Sequence, residues 1–152
     1  MPNTNYVALG PTVNFRIAGG AGTRMLEYGN FLLMLLNDGT FNGKQVLSKA
    51  SVTEMLKDQT AGLPIASTPY ENDPLRQHFR YGLGSWIEDY TNNTPTVFSD
   101  QGAFGFSPWL DKKRGIVGVL FVKRTFASVN TQPSPQTAPY TLIRNKVAEL
   151  LD

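Results

Sequence analysis

Four consecutive residues, Ser99-Asp100-Gln101-Gly102, carry the residue types best suited to chemistry in this sequence. They place a hydroxyl, a carboxylate and a glycine side by side. A glycine lets a strand approach a bound molecule closely, because it has no Cβ. These residue types make the segment the candidate for a functional site. The alternative is the polar end of a strand before a turn.

A catalytic triad would depend on His78, the single histidine. With Ser99 and Asp100 it would nominally supply a serine, a histidine and an aspartate. The sequence holds no Gly-x-Ser-x-Gly elbow, however. His78 also lies between Arg76 and Arg80. This setting favours a surface histidine over a general base.

The composition excludes several classes of protein. The chain has 152 residues, enough for one domain, with 41% hydrophobic and 17% charged residues. It has no cysteine, which excludes disulfides, thiolate catalysis and cysteine-ligated zinc. A net charge of +2 gives no support for a nucleic-acid partner. We expect no membrane span, since no apolar run is long enough, and the polar start lacks a signal-peptide core.

Two helices are predicted in the first part of the chain. Arg24–Leu36 is apolar over most of its circumference, which suggests burial on more than one side. Thr23 is its expected N-cap, and Asn37-Asp38-Gly39 its stop. After a tight turn at 41–44, a second helix should begin at Ser48 or Lys49 and end near Lys57. The proline-containing stretch 59–79 is interpreted as a long loop.

The pattern then changes to strands. We predict strands at 81–88, 96–98, 105–110 and 116–122, with turns at 91–94 and 111–115. The last of these strands, Ile116–Val122, is almost wholly apolar, as expected for a strand covered on both faces. A final helix, Tyr140–Leu151, should lie across the sheet. Trp86 and Trp109 are interpreted as core aromatics. The order predicts an α+β fold: an antiparallel sheet with flanking helices.

Several segments together resemble the serine beta-lactamase-like family, which includes class C beta-lactamases, penicillin-binding carboxypeptidases and related esterases. The similarity begins near residue 16 and covers the rest of the chain. Its hairpin at 102–117 is similar to the one that carries the third active-site motif of the family. The segments that carry the resemblance are Ala18-Gly19-Gly20-Ala21-Gly22, the helix Arg24–Leu36 with Asn37-Asp38-Gly39, Gly43–Ser48, Tyr81–Trp86 and Gly102–Asp111 with Arg114–Val117.

The resemblance also implies that the nucleophile is absent. The family places its serine in Ser-x-x-Lys, where the lysine helps to deprotonate the serine. None of the eight serines here has a lysine three residues later. Residues 1–152 are therefore expected to be a single partial domain, the C-terminal segment of such a protein, without the Ser-x-x-Lys part. Tyr28-Gly29-Asn30 matches the second motif, Tyr-x-Asn, in letters. Its place inside a predicted helix favours a packed tyrosine.

The resemblance places Asp100, Gln101, Gly102 and Ala103 in the substrate strand, where the family has Lys-Thr-Gly or His-x-Gly. It implies that the backbone at Gly102 and Ala103 borders the substrate and supplies an oxyanion donor. Asp100 departs from the family pattern, because a carboxylate cannot replace the cation that holds a substrate carboxylate. Either the substrate differs from that of the beta-lactamases, or the site is inactive.

We therefore expect the C-terminal segment of a bacterial, beta-lactamase-like serine hydrolase. The complete protein would cleave an amide or ester through an acyl-serine, with a small-molecule or peptide substrate and no metal or other cofactor. The isolated chain would be inactive. The alternative is a non-catalytic domain of the same fold that binds peptide or cell wall. The resemblance implies a periplasmic or secreted location. Lacking its N-terminal strands, the isolated chain should form a homodimer, either by sheet extension or by helix packing.

Overall fold

The computed structural model of the chain describes residues 22–66, 79–102, 105–122 and 137–152. It shows the α+β architecture that the sequence predicts, with helices flanking an antiparallel sheet. No helix in these four ranges is long and apolar enough to span a membrane. The elements in chain order are α1 (Met25–Leu36), β1 (Thr40–Phe41), β2 (Lys44–Gln45), α2 (Lys49–Leu56), β3 (Arg80–Tyr81), β4 (Trp86–Thr91), β5 (Thr94–Ser99), β6 (Phe106–Asp111), β7 (Ile116–Phe121) and α3 (Thr137–Leu151).

Strands β3 to β7 form one antiparallel sheet in which each strand pairs with the next along the chain. The turn between β4 and β5 has Asn92 and Asn93 at φ 50° and 61°, a left-handed backbone that asparagine tolerates. Across the centre of the sheet, Phe98 pairs with Leu110. Such a meander needs only short turns, which the sequence places correctly at 91–94 and 111–115.

Helices cover both faces of this sheet. On one face, α1 and α2 pack against the strands. On the other, the fully buried Tyr140 of α3 has its ring centroid 5.8 Å from that of Trp109. Trp109 is therefore the core aromatic that the sequence predicts. The core under α1 and α2 consists of Met34, Leu35, Val52, Leu56, Ile87, Phe98 and Leu110.

The boundaries of α1 and α2 agree with the sequence to within about one residue, α3 begins three residues earlier than predicted, and one cap is wrong. Helix α2 begins after Ser48, whose hydroxyl accepts a hydrogen bond from the Ser51 N–H, as expected of an N-cap. For α1 the expected cap, Thr23, is wrong. Arg24 is the N-cap, and its N–H donates to Glu27 Oε2 over 3.1 Å. Glu27, the third residue of the helix, thus accepts the N–H of the N-cap residue, which is one half of a capping box.

The predicted strand 81–88 is interrupted by a bend. Gly82 N–H donates to the Ser85 carbonyl over 2.8 Å, and Gly84 has φ +90°, so 82–85 connects β3 to β4. A Cβ on Gly82 would lie 2.6 Å from the Met55 carbonyl oxygen. This contact explains the glycine: the bend passes directly over the end of α2.

One expectation about burial is wrong and one is confirmed. Strand β7 is only partly buried, because it forms the edge of the described sheet. Helix α1 is buried on more than one side, as the sequence predicts: Leu32 and Met34 are both buried, and residues two apart on a helix point in nearly opposite directions. Met25 and Leu26, near the start of the helix, are 54% and 83% exposed.

Candidate functional site

A cavity of about 270 Å³ lies between the α1–α2 layer and the sheet, where β5 ends. Asp100, which directly follows β5, lines it, and so do both helices and the 82–85 bend. Almost all of the wall is apolar or aromatic. The lining residues are Tyr28, Phe31, Leu32, Leu35, Met55, Leu56, Leu83, Gly84, Ser85, Phe98, Ser99, Asp100, Pro108, Trp109 and Leu110.

Asp100 is the single charged residue of this lining. Its N–H extends the β5–β6 ladder by donating to the Pro108 carbonyl over 3.4 Å. Desolvation raises the pKa of its carboxyl above the ordinary value, although the residue as a whole remains exposed. Its negative charge, after the larger effect of burial, raises the pKa of the phenols of Tyr28 and Tyr81. The charge of Asp100 therefore acts on both tyrosines.

Tyr28 lies inside α1, as the sequence predicts, and is half-buried. Its ring packs edge-on against Phe106 at 4.7 Å and near Phe31 at 5.6 Å. Burial, with the charge of Asp100 added, raises the pKa of its phenol. A phenol with a raised pKa stays protonated at neutral pH and can donate a hydrogen bond, but it is a poor general base. The packed-tyrosine interpretation is thus confirmed, with the addition that the ring faces the cavity.

The chain turns sharply after Gly102. Gly102 N–H donates to the Phe106 carbonyl over 2.7 Å, and Gly105 N–H donates to the Gly102 carbonyl over 3.0 Å. A Cβ on Gly102 would meet Phe106 Cβ at 3.4 Å, an ordinary contact. Packing among the residues that the structure describes therefore does not require glycine at 102. The expected oxyanion donor, Ala103, lies outside the described residues.

Gln101 sits differently from its neighbours. Both polar atoms of its side chain are buried, and neither has a hydrogen-bond partner in the described part of the chain. It does not line the cavity. The four predicted site residues thus divide: Asp100 borders the cavity, Gly102 makes the turn, Gln101 is turned away from the cavity, and Ala103 is not described.

Ser99 does not join Asp100 in a triad. Its hydroxyl donates to the buried carboxylate of Glu88, which also accepts a 2.8 Å bond from the Tyr140 hydroxyl. Arg144 Nε lies 3.4 Å from the other oxygen of Glu88. These four side chains, the Glu88 cluster, join the sheet to α3 on the face opposite the cavity. His78, the third member of the nominal triad, lies outside the described residues.

Sequence reasoning missed Tyr81 and the Glu88 cluster. Tyr140 and Arg144 are four residues apart on the last helix and so share a face, which was a usable signal. Glu88 follows the buried Ile87 and therefore points to the opposite face of the sheet. The residues that contact Glu88 could not be identified from the sequence without knowing the order of the strands in the sheet. Among the described residues, no three of His, Cys, Asp and Glu lie together as a metal site would need.

Comparison with known proteins shows which solved structure has a similar fold. No protein-family model and no curated protein matches the chain. Among solved structures, it is similar to a "putative beta-lactamase" from Bacteroides dorei DSM 17855, with a TM-score of 0.69 and 21% sequence identity. The match covers 90% of this chain and 46% of that one, so the chain spans about half the length of its structural relative. The fold is that of the C-terminal portion of a beta-lactamase-like protein.

Proposed function

We propose that this chain is the C-terminal segment of a beta-lactamase-like serine hydrolase that cleaves an amide or ester through an acyl-serine. A beta-lactam, a D-Ala peptide and a simple ester are the substrate types that the fold suggests. The nucleophile would come from a part of the protein outside residues 1–152. The isolated chain would have no activity of its own.

The observation that carries this proposal is the position of Asp100, which lines the cavity, with Gly102 two residues further along the same segment. The segment ends a strand and is followed directly by a turn that Gly105 closes. Within the residues that the structure describes, Gly102 meets no crowding that would require a glycine. A substrate that approaches the backbone of residue 102 closely would explain why this residue is a glycine.

The mechanistic role of this chain is to orient the substrate and to stabilise charge. Gly102 N–H is already bonded to Phe106, so the N–H of Ala103 is the proposed oxyanion donor. Tyr28, protonated because of its raised pKa, would donate a hydrogen bond at the opposite wall. Tyr28 is therefore not the base that takes the proton of the attacking serine, and we assign that role to the lysine of the Ser-x-x-Lys motif, outside this segment.

A second function is favoured by one specific observation. Asp100 puts a carboxylate where the family places a cation, which a beta-lactam carboxylate would avoid. The alternative is accordingly a non-catalytic domain that binds peptide or cell wall. Under either proposal we place the protein in the periplasm or outside the cell, with a small molecule or peptide as ligand and neither nucleic acid nor cofactor.

A covalent probe separates the two functions. The complete protein encoded by the gene is treated with a fluorophosphonate, and mass spectrometry locates the adduct. The hydrolase proposal expects one adduct on a serine of a Ser-x-x-Lys motif outside residues 1–152, and none on the isolated chain. In the complete protein, Gly102→Val should abolish turnover while its circular dichroism spectrum is unchanged. A complete protein that forms no adduct supports the binding domain, and an adduct on a serine of the isolated chain contradicts both proposals.

A further inference from the structure

The cavity beside Asp100 combines an apolar body with one negative end. Phe31, Leu35, Leu83 and Pro108 are among its walls, and Asp100 supplies its single charge. A volume of about 270 Å³ lies at the small end of ligand pockets. A ligand that fits it is compact and mostly apolar, with one polar group placed near Asp100.

The charge of Asp100 is not neutralised within the described residues. In residues 22–66, 79–102, 105–122 and 137–152, the ion pairs involve other carboxylates, namely Glu27, Asp38, Glu54, Glu88, Asp111, Glu149 and Asp152. Desolvation disfavours the charged form of the Asp100 carboxyl. A cation brought next to it would relieve that penalty, whereas an anion would increase it.

Aromatic rings surround the same point. Tyr28 lines the cavity, and both Tyr28 and Tyr81 are near enough to Asp100 for its charge to shift their pKa values. Aromatic faces attract ammonium groups through their quadrupole, whereas a neutral phenol offers an anion a hydrogen bond but no countercharge. The surroundings therefore select for positive charge at the polar end.

We propose that this cavity binds a small apolar primary amine, whose ammonium group pairs with Asp100 while its apolar body packs against α1, α2 and the 82–85 bend. The proposal rests on the proposed function in one respect: it takes this cavity to be the place where the substrate of the complete protein binds. A substrate of the complete protein would then carry a free ammonium group in place of the carboxylate that beta-lactams carry.

The test compares three probes of similar shape and different charge: 2-phenylethylamine, 2-phenylethanol and phenylacetate. Each is titrated at neutral pH into the 152-residue chain, and amide NMR shifts report affinity and location. We expect the amine to bind about tenfold more tightly than the alcohol, as one charge-assisted hydrogen bond allows, and phenylacetate to bind least. The shifts should centre on residues 28, 83–85 and 100.

Two variants with the same change of charge complete the test. Asp100→Asn should remove the preference for the amine, while Asp89→Asn, on the exposed part of β4, should keep it. Asp100→Ser gives a second measurement if the asparagine variant folds poorly. Equal affinities for amine and alcohol, no binding by any probe, or a preference that survives both substitutions at Asp100 overturns the proposal. Amine binding by a complete protein that forms no serine adduct would instead keep this site and remove the hydrolase function.

Discussion

Replacing Gly105 by alanine should destabilise the protein far more than the same change at Gly102, three residues earlier in the same turn. Gly105 has φ +96°, a conformation that costs an L-residue about 1–2 kcal/mol. Its new Cβ would also overlap the carbonyl oxygen of Val122. Val122 must then move, which weakens the 2.7 Å bond from its N–H to the Gly105 carbonyl, worth about 1 kcal/mol.

These contributions give an expected loss of about 2–3 kcal/mol for Gly105→Ala. Gly102→Ala introduces only an ordinary 3.4 Å contact with Phe106. It should change stability by less than about 1 kcal/mol, with a small gain from the stiffer unfolded chain. Urea unfolding followed by tryptophan fluorescence measures both. Equal stabilities for the two variants would refute the argument that the turn is held by Gly105 while Gly102 is left to an external contact.

Three further outcomes are expected. Gly118→Ala should lower the free energy of unfolding in urea by about 1–3 kcal/mol, because its Cβ would overlap the Trp109 ring across the β6–β7 pair. Gly115→Ala is the control: its Cβ meets no described atom, so it tests the strain of φ +70° alone. The pKa of Asp38 is lowered by hydrogen bonds from two lysines, of which Lys112 at 2.7 Å has the larger effect and Lys49 at 2.9 Å the smaller. The contribution of Asp38 to stability is therefore present above its unfolded pKa and is lost as the pH falls through its folded pKa. Asp38→Asn should therefore flatten the fall in melting temperature between about pH 5 and 2, and an unchanged slope would contradict this assignment. Finally, we expect the isolated chain to dimerise through the groove between α1 and β7, which includes Leu26, 83% exposed. Leu26→Glu should shift sedimentation to the monomer and Leu150→Glu on α3 should not, while a wild-type mass of 16.8 kDa at micromolar concentration would refute the dimer.

The sequence was sufficient for the elements that local rules determine. Ser48 is a good N-cap, and Asn92-Asn93 suits a left-handed turn, so the second helix and the β4–β5 hairpin are found from residue types alone. The polar turn at 111–115 and the apolar run that follows it locate β6 and β7 to within one residue. The similarity of fold to a beta-lactamase relative also confirms the architecture inferred from the order of the segments.

Properties that depend on neighbours distant in sequence were harder to predict. Ile116–Phe121 is equally apolar whether it is central or at an edge, and only the strand order shows which. The candidate site residues 100–103 come from the resemblance to the third motif, and of those that the structure describes only Asp100 lines the cavity. The approach of Tyr28 and Tyr81 to Asp100 joins three elements separated by tens of residues. No local pattern encodes that approach.

The Glu88 cluster has a consequence for the order of events during synthesis. The five strands are consecutive hairpins, so their contacts are local and can form as soon as residue 121 has left the ribosome. At that stage the carboxylate of Glu88 has Ser99 beside it, but neither Tyr140 nor Arg144 has emerged from the ribosome. A carboxylate without these partners keeps its face of the sheet hydrated. The back layer therefore closes only after α3 has left the ribosome, and a released chain that ends before residue 140 would hold a paired sheet that is still open to chaperones on that side.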